Sequence, residues 1–150
     1  MLKASIDADI FREAIEVISA LVTECRLLAD ANGIRTRAVD TANVAMVSLD
    51  LGKEGFSAFS ATKEEIGLDI TKMKNILSMM SRGDLLSLQL GDNSKKLELS
   101  FGSYRYSVTL LDVNTVRKDP NPPTIDLPGK VVISGEALSS AIKAASVVSD

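Results

Sequence analysis

The sequence contains no histidine, no tryptophan and a single cysteine among its 150 residues. Histidine is the commonest general base and the commonest metal ligand in proteins, so its absence makes catalysis less expected. Cys25 has no partner for an internal disulfide, and its place in the strand-like run ECRLLAD indicates a buried thiol. These absences favour a binding function in a reduced, cytoplasmic setting, with no cofactor and no metal.

Long apolar runs and a large excess of one charge are also missing. No run reaches the roughly 18 residues that a membrane-spanning helix needs, and Asp7 and Asp9 interrupt the N-terminal segment where a secretory signal is apolar. The net charge of −3 argues against a protein that coats nucleic acid through bulk positive charge, but it leaves room for a local basic surface.

Proline is absent from most of the chain, since all four prolines lie in RKDPNPPTIDLPGK at residues 117–130. Proline donates no hydrogen bond to a sheet and holds the backbone extended. The stretch is therefore predicted to be a linker between domains.

Strands with one buried face are predicted where apolar and polar residues alternate, as in LLSLQL, KKLELSF and YRYSVTLL between residues 85 and 111. The pair Asn32-Gly33 and the sequence GDNS at 91–94 predict hairpin turns, because these residue types adopt positive φ angles at low cost.

Two segments have helical spacing instead, DADIFREAIEVISALV from Asp7 and DITKMKNILSMMSRGD from Asp69. Asp7 or Asp9 is predicted to cap the first helix. Thr71 is predicted to cap the second, with Gly83 ending it.

One supersecondary unit recurs, because residues 7, 69 and 134 occupy matching positions 62 and 65 residues apart, each between a strand and a helix. Such a recurrence predicts a repeat architecture. The expected fold is α+β, with two strand–helix–hairpin (βαβββ) units whose helices lie on one face of antiparallel sheets, followed by the opening strand and helix of a third. Chance similarity between amphipathic helices is the alternative interpretation.

Five segments, in order along the chain, match those of a known family. They are GIRTRAVDTANVAMVSLDL (33–51), IGLDITKMKNIL (66–77), KKLELSFGSYRYSVTLLD (95–112), VRKDPNPPTIDLPGKVVISG (116–135) and AIKAASVVSD (141–150). Through them the chain resembles the sliding clamps of the proliferating cell nuclear antigen family, most closely the archaeal type.

The resemblance implies a DNA-clamp fold in which two such domains in tandem form a subunit, and three subunits close head to tail around duplex DNA. Residues 1–116 would be the N-terminal clamp domain, 117–129 the interdomain connector, and 130–150 the incomplete start of the second domain. The chain would then be truncated after its first domain and connector.

The implied function is that of a processivity factor without enzymatic activity, located in the cytoplasm in association with the nucleoid. Its implied partners are double-stranded DNA, bound without sequence specificity, and proteins that carry short clamp-binding motifs. Those proteins are DNA polymerase, the clamp loader, flap endonuclease and DNA ligase. The assembly of the full-length family is a homotrimer.

The resemblance assigns site residues in three groups, and each has a plainer alternative. The residues that would face DNA are Arg12, Lys72, Lys74, Arg82 and Lys143, which could instead be solvated helix surface. Those that would bind partners are Val39, Asp40, Asn43 and Met46 with Val116, Pro123, Ile125 and Leu127, of which Val39 and Met46 could be core residues. Those of the subunit interface are Tyr104, Tyr106, Val108 and Leu110, where Tyr106 could be a half-buried sheet residue.

Two other functions stay open at this level. One is a stand-alone clamp-like domain that regulates or competes with a full clamp. The other is a metal-dependent enzyme using Asp7, Asp9 and Asp40, since three carboxylates can hold magnesium. The helix-capping positions of Asp7 and Asp9 and the lack of a glycine-rich phosphate loop speak against that enzyme.

Overall fold

Antiparallel strands alternate with helices in a computed structural model that describes residues 1–122 and 124–148. The elements, in chain order, are β1 (Leu2–Asp7), α1 (Ala8–Ser19), β2 (Glu24–Asp30), β3 (Gly33–Val39), β4 (Met46–Gly52), β5 (Ala58–Ala61), β6 (Glu64–Asp69), α2 (Ile70–Leu77), β7 (Leu85–Leu90), β8 (Lys96–Phe101), β9 (Tyr104–Thr109) and α3 (Gly135–Ala145). This order contains the predicted strand–helix–hairpin unit twice, so the α+β fold prediction is confirmed.

The strands form two antiparallel sheets, with orders β5-β1-β7-β8-β9 and β4-β3-β2-β6. Buried residues of both sheets and of α1 and α2 belong to one apolar core, which includes Ile6, Ile15, Leu68 and Met73. The alternation of buried and exposed residues along β7 and β8 follows the period of two in their sequences.

The chain divides into two compact units, Met1–Pro120 and the segment from Asn121 onward. Both sheets, α1 and α2 belong to the first unit, and α3 belongs to the second. The predicted connector at 117–129 straddles this division, so its boundaries stay a prediction. None of the helices in the described parts of the chain is long and apolar enough to cross a membrane.

The three matching positions of the repeat are the N-caps of the three helices. The Asp7 carboxylate accepts a hydrogen bond from the N–H of Asp9, and the Asp69 carboxylate accepts one from that of Lys72. The Ser134 hydroxyl oxygen accepts one from the N–H of Ala137. Each cap satisfies a backbone donor that has no partner inside its helix.

Two details of the second helix prediction are wrong. Thr71 lies inside α2, because Asp69 at the end of β6 already supplies the capping carboxylate. Gly83 does not end the helix, since α2 stops at Leu77; with φ of +77° it sits instead in the turn that leads to β7.

The first hairpin turn also differs from its prediction. Ala31 and Asn32 form the two-residue turn, and Gly33 starts β3 with φ of +143°. A side chain at Gly33 would meet the Leu51 carbonyl oxygen on β4, so close approach requires the glycine. The turn at 91–94 lies between β7 and β8 as predicted, with Asn93 at φ of +56°.

The opening strand predicted before α3 is not formed. Residues 130–134 carry no strand assignment, and Val131, Val132 and Ile133 are exposed. A strand is defined by hydrogen bonds to a neighbour, so the right side-chain pattern alone does not produce one.

Candidate functional site

The exposed face of α2 is basic. Met73, Ile76 and Leu77 are buried on one side of this helix, and Lys72 and Lys74 therefore lie on the solvent side. The ammonium nitrogen of Lys74 lies 3.3 Å from the hydroxyl oxygen of Ser19 on α1. Arg82, in the turn after α2, is also exposed. Predicted DNA contacts from α2 and its turn are thus accessible to a phosphate group.

Arg12 is placed differently from the other predicted DNA contacts. Its guanidinium donates hydrogen bonds to the carbonyl oxygens of Met80 at 2.7 Å and Leu77 at 3.3 Å, and it pairs with the Asp9 carboxylate at 2.5 Å. Leu77 is the last residue of α2 and Met80 lies three residues further on, in the region where backbone acceptors lack helical partners and the helix dipole favours a cation. Arg12 therefore joins α1 to the end of α2.

The remaining exposed face of α1 is acidic and apolar. It carries Glu13, Glu16, Ile10 and Val17, so α2 supplies the positive charge of the helix pair. Lys143 is exposed on α3 in the second unit.

Asp40 organises the loop between β3 and β4. Its carboxylate accepts hydrogen bonds from the backbone N–H groups of Val44 at 2.8 Å and Ala45 at 3.0 Å. These N–H groups, that of Ala45 first, hold the pKa of Asp40 below its usual value because they stabilise the ionised form. Asn43 takes a left-handed conformation with φ of +58°, which asparagine tolerates better than most residues.

The loop presents apolar side chains to solvent. Val44 is 85% exposed and Met46 is 38% exposed, whereas Val39 is half-buried. Val44 is a surface residue that the sequence reasoning missed, although its place directly after Asn43, a residue type common in turns, was a usable signal. Met46 is at the surface, so its interpretation as an ordinary core residue is wrong.

Arg117 was also missed, and it reaches this loop from a distant part of the chain. Its guanidinium donates to the carbonyl oxygen of Asp40 at 3.2 Å and to the side-chain oxygen of Asn43. No local pattern points to this contact, because 74 residues separate Arg117 from Asn43.

Val116 is a buried anchor rather than a surface contact. It is 2% exposed, and its carbonyl oxygen accepts hydrogen bonds from Nε of Arg26 at 3.0 Å and Nη2 at 2.6 Å. Arg26 is itself buried, and its guanidinium pairs with Glu65 at 3.5 Å. The predicted role of the Val116 side chain in partner binding is therefore corrected.

Two of the other predicted connector residues lie in the second unit. Ile125 and Leu127 are exposed. Pro123 lies outside the described residues.

β9 is the outermost strand of its sheet. The Leu110 N–H donates to the Lys95 carbonyl oxygen at 2.8 Å, and Lys96 pairs with Thr109. Because hydrogen-bonded and outward-facing residues alternate in an antiparallel pair, the backbone groups of Arg105, Ser107 and Thr109 face the open edge. β9 can therefore accept a further strand.

The predicted interface side chains on β9 and after it differ in exposure. Tyr104 is 54% exposed, and Tyr106 is half-buried with its hydroxyl donating to the Met79 sulfur at 3.2 Å. Leu110 is half-buried, but Val108 is a core residue. The backbone of Val108 faces Leu97 on β8 rather than the open edge, so the predicted interface role of Val108 is corrected.

The three aspartates of the enzyme alternative do not come together. Among the residues that the structure describes, no group of three acidic, histidine or cysteine side chains could hold a metal ion. Asp7 caps α1, Asp9 pairs with Arg12, and Asp40 binds the backbone of its own loop beyond β3.

Comparisons with known proteins show which family the chain is similar to. A sequence profile of the proliferating cell nuclear antigen (PCNA) N-terminal domain matches residues 1–117. DNA polymerase sliding clamps of Methanoculleus marisnigri and Methanosphaerula palustris are 68% and 67% identical to the chain over 150 residues, which is 100% of this chain and 61% of each relative. The chain thus spans about three-fifths of the length of these relatives.

Two solved structures are similar to the whole chain. One is a complex of A. fulgidus PCNA with the C-terminal region of FEN-1, which superposes with a TM-score of 0.95 at 34% identity and covers 100% of this chain and 61% of that one. The other is PCNA from Thermococcus kodakaraensis, with a TM-score of 0.87 at 29% identity, covering 100% and 62%.

Proposed function

Because the chain belongs to the proliferating cell nuclear antigen family of sliding clamps, we propose that it forms the N-terminal part of a clamp subunit that encircles duplex DNA. Its role is to tether DNA polymerase and other replication and repair proteins, in the cytoplasm and in association with the nucleoid. The basic exposed face of α2, carrying Lys72 and Lys74 with Arg82 beside it, is the observation that carries this proposal.

Contact between these side chains and phosphates suits a protein that slides. Lysine and arginine neutralise phosphates whatever the base sequence, so such contacts hold the duplex without fixing a position along it. Arg12 supports the DNA surface indirectly, because its hydrogen bonds to Leu77 and Met80 hold the end of α2 against α1. Lys143 on α3 is proposed as a further phosphate contact.

The DNA proposal predicts a change in salt dependence. Replacing Lys72, Lys74 and Arg82 together by alanine in a ring that contains this chain should weaken duplex binding at low salt. The slope of log K against log salt should fall by about 0.9 for each phosphate that the variant no longer neutralises. Filter binding or fluorescence anisotropy across a salt series measures both quantities.

The matched control replaces three lysines elsewhere, Lys3, Lys63 and Lys96, which are exposed away from α1 and α2. It removes the same charge, so it separates a local contact from the net-charge effect. Equal loss of binding in the two triple variants, or unchanged binding in the α2 variant, would contradict the proposal.

The loop between β3 and β4 is proposed as part of the docking site for partner proteins. Met46 and Val44 offer exposed apolar contacts, and methionine adapts its shape to varied ligands. Ile125, Leu127 and Pro123 of the connector are proposed as further partner contacts. The complex of A. fulgidus PCNA with FEN-1 supports a flap endonuclease as one partner. DNA polymerase, the clamp loader and DNA ligase are proposed as others.

Subunit assembly is proposed to use the open edge of β9. A strand from a neighbouring subunit would pair with the outward backbone groups of Arg105, Ser107 and Thr109. Tyr104 and Tyr106 would pack beside it, because their rings lie on the exposed end of the aromatic group that includes Phe101. The proposed assembly of complete subunits is a homotrimer.

A further inference from the structure

The loop at residues 41–45 has little apolar packing of its own. Thr41, Ala42, Asn43 and Val44 are exposed. Inside the loop, the Asp40 carboxylate accepts hydrogen bonds from the N–H groups of Val44 and Ala45. The backbone N–H of Asp40 donates one to the carbonyl oxygen of Ala45. These local bonds set the shape of the loop, but they do not fix the position of the loop on the rest of the domain.

Arg117 supplies the long-range hydrogen bonds of the loop, in addition to its attachment to β3 and β4. Its guanidinium bonds to both ends of the turn, at the Asp40 carbonyl and the Asn43 side chain. A planar guanidinium holds two acceptors in a fixed relative position, which a single ammonium does not do. In the described hydrogen bonds of residues 40–45, the long-range ones come from this side chain.

The backbone beside Arg117 is itself fixed. Val116 is buried, and the guanidinium of Arg26 donates two hydrogen bonds to the Val116 carbonyl oxygen. Arg26 is buried on β2, a strand with a neighbour on each side. The loop is therefore connected, through Arg117 and Val116, to the centre of the four-stranded sheet.

Resting on the docking role proposed above, we infer that Arg117 is a positioning residue for partner binding. It holds the loop so that Val44 and Met46 already lie where an apolar anchor of a partner meets them. Ordering a loop during association lowers affinity, and a loop that is ordered beforehand avoids this cost. Arg117 acts in this role without touching the partner, through one donor from each terminal nitrogen to the loop.

The test is to replace Arg117 by glutamine in this chain and to titrate it with a peptide from the C-terminal region of FEN-1. Isothermal calorimetry should show affinity about three- to tenfold weaker than wild type, because the loop must then be ordered on binding. Exchange of the Val44 and Ala45 amide hydrogens should become faster, since their partner Asp40 is less well held. Lys118→Gln removes the same charge from an exposed neighbour and should leave both measurements unchanged.

Arg117→Lys separates geometry from charge. It keeps the positive charge but not the two-pronged hydrogen bonding, so affinity and exchange should resemble Arg117→Gln. Wild-type affinity in Arg117→Lys would mean that charge attraction to the peptide matters, and it would overturn the inference. Unchanged amide exchange in Arg117→Gln would overturn it as well.

The same experiment separates this inference from the docking proposal. If wild type does not bind the peptide, the docking role fails for both the loop and Arg117. The exchange rates of Val44 and Ala45 then still decide whether Arg117 holds the loop. If wild type binds and Arg117→Gln binds equally well, docking stands and the positioning role is rejected.

Discussion

Arg12 shows how one side chain joins two helices. Its guanidinium reaches Leu77 and Met80, which lie 65 and 68 residues further along the chain, while Asp9 pairs with it from the same helix. The backbone acceptors at the end of α2 thereby gain charged donors, and α1 and α2 are kept in register. Such a contact is invisible in the local sequence, where Arg12 has the spacing of a surface residue.

Replacing Arg12 by methionine should therefore cost stability. We expect the free energy of unfolding to fall by about 1.5–3 kcal/mol, because the variant cannot make the hydrogen bonds from a charged group to the backbone. Urea unfolding followed by circular dichroism measures it. The control is Arg82→Met at an exposed position, expected within about 0.5 kcal/mol of wild type. Equal stability of the two variants would argue against this role of Arg12.

Asp119 makes the folded state less stable as the pH rises. A carboxylate in an ion pair has the opposite effect, because its contribution to stability is lost as the pH falls. Its Oδ1 is buried without a hydrogen-bond partner among the described residues, and burial raises the pKa of Asp119, although Arg37 and Arg26 oppose the rise. Because this pKa is raised in the folded state, the contribution of Asp119 to the free energy of unfolding is fully present below the pKa of an unfolded aspartate, about 3.9. This contribution is lost as the pH rises through the pKa of Asp119 in the folded state.

Asp119→Asn should therefore be more stable than wild type near pH 7. The difference should vanish near pH 3, where the wild-type carboxyl is protonated in both the folded and the unfolded state. Urea unfolding of both proteins at the two pH values is the measurement. A difference that persists unchanged at pH 3 would point to packing rather than ionisation.

At the scale of elements, the local periodicities of the sequence were sufficient to predict most strands and both main helices. Burial alternates along β7 and β8 as their sequences indicate, and the N-caps at Asp7, Asp69 and Ser134 fall on the predicted repeat. These features depend on neighbours in sequence. The opening strand expected before α3 did not form, because a strand depends on a neighbour in space.

A smaller part of the candidate site was predictable from the sequence, because many of its contacts join residues that are far apart along the chain. Lys72 and Lys74 could be placed on the exposed face of α2 from helical spacing alone. The partners of Arg117 and the burial of Val116 come from the fold, which brings residues of β2 and of the β3–β4 loop to the chain after β9. No local pattern contains that information.

The two candidate caps of α2 can be compared by mutation. Asp69→Ala should lower the free energy of unfolding by about 1 kcal/mol, because the N–H of Lys72 loses its acceptor. Thr71→Ala should change it by less than about 0.5 kcal/mol, since Thr71 is exposed inside the helix. Thermal or urea unfolding of both variants checks the order, and a reversed order would restore Thr71 as the cap.

At the scale of the whole molecule, the open edge of β9 decides what the chain can assemble. In the homotrimer proposed above, the strand that pairs with β9 would come from the second domain of a neighbouring subunit. A protein of these 150 residues should therefore not close into a trimeric ring. Sedimentation velocity at several concentrations measures the size.

A ring-sized trimer would contradict this prediction. Ser107→Pro would then show whether β9 is responsible, because it removes an N–H that faces the open edge without removing a hydrogen bond to β8. Ser107→Ala is its control. A trimer that survives Ser107→Pro would place the contact elsewhere on the molecule.

The position of β1 also constrains the order in which the protein folds during synthesis. β1 lies between β5 and β7, so Leu2 pairs with Ala61 on one side and with Leu90 on the other. The ribosome makes β1 first, yet its second neighbour emerges only after some ninety residues. The sheet of β2, β3, β4 and β6 is complete by residue 69, so it can form earlier. The apolar side chains of β1 must wait for their neighbours, and during that interval the nascent chain is most open to aggregation and to chaperones.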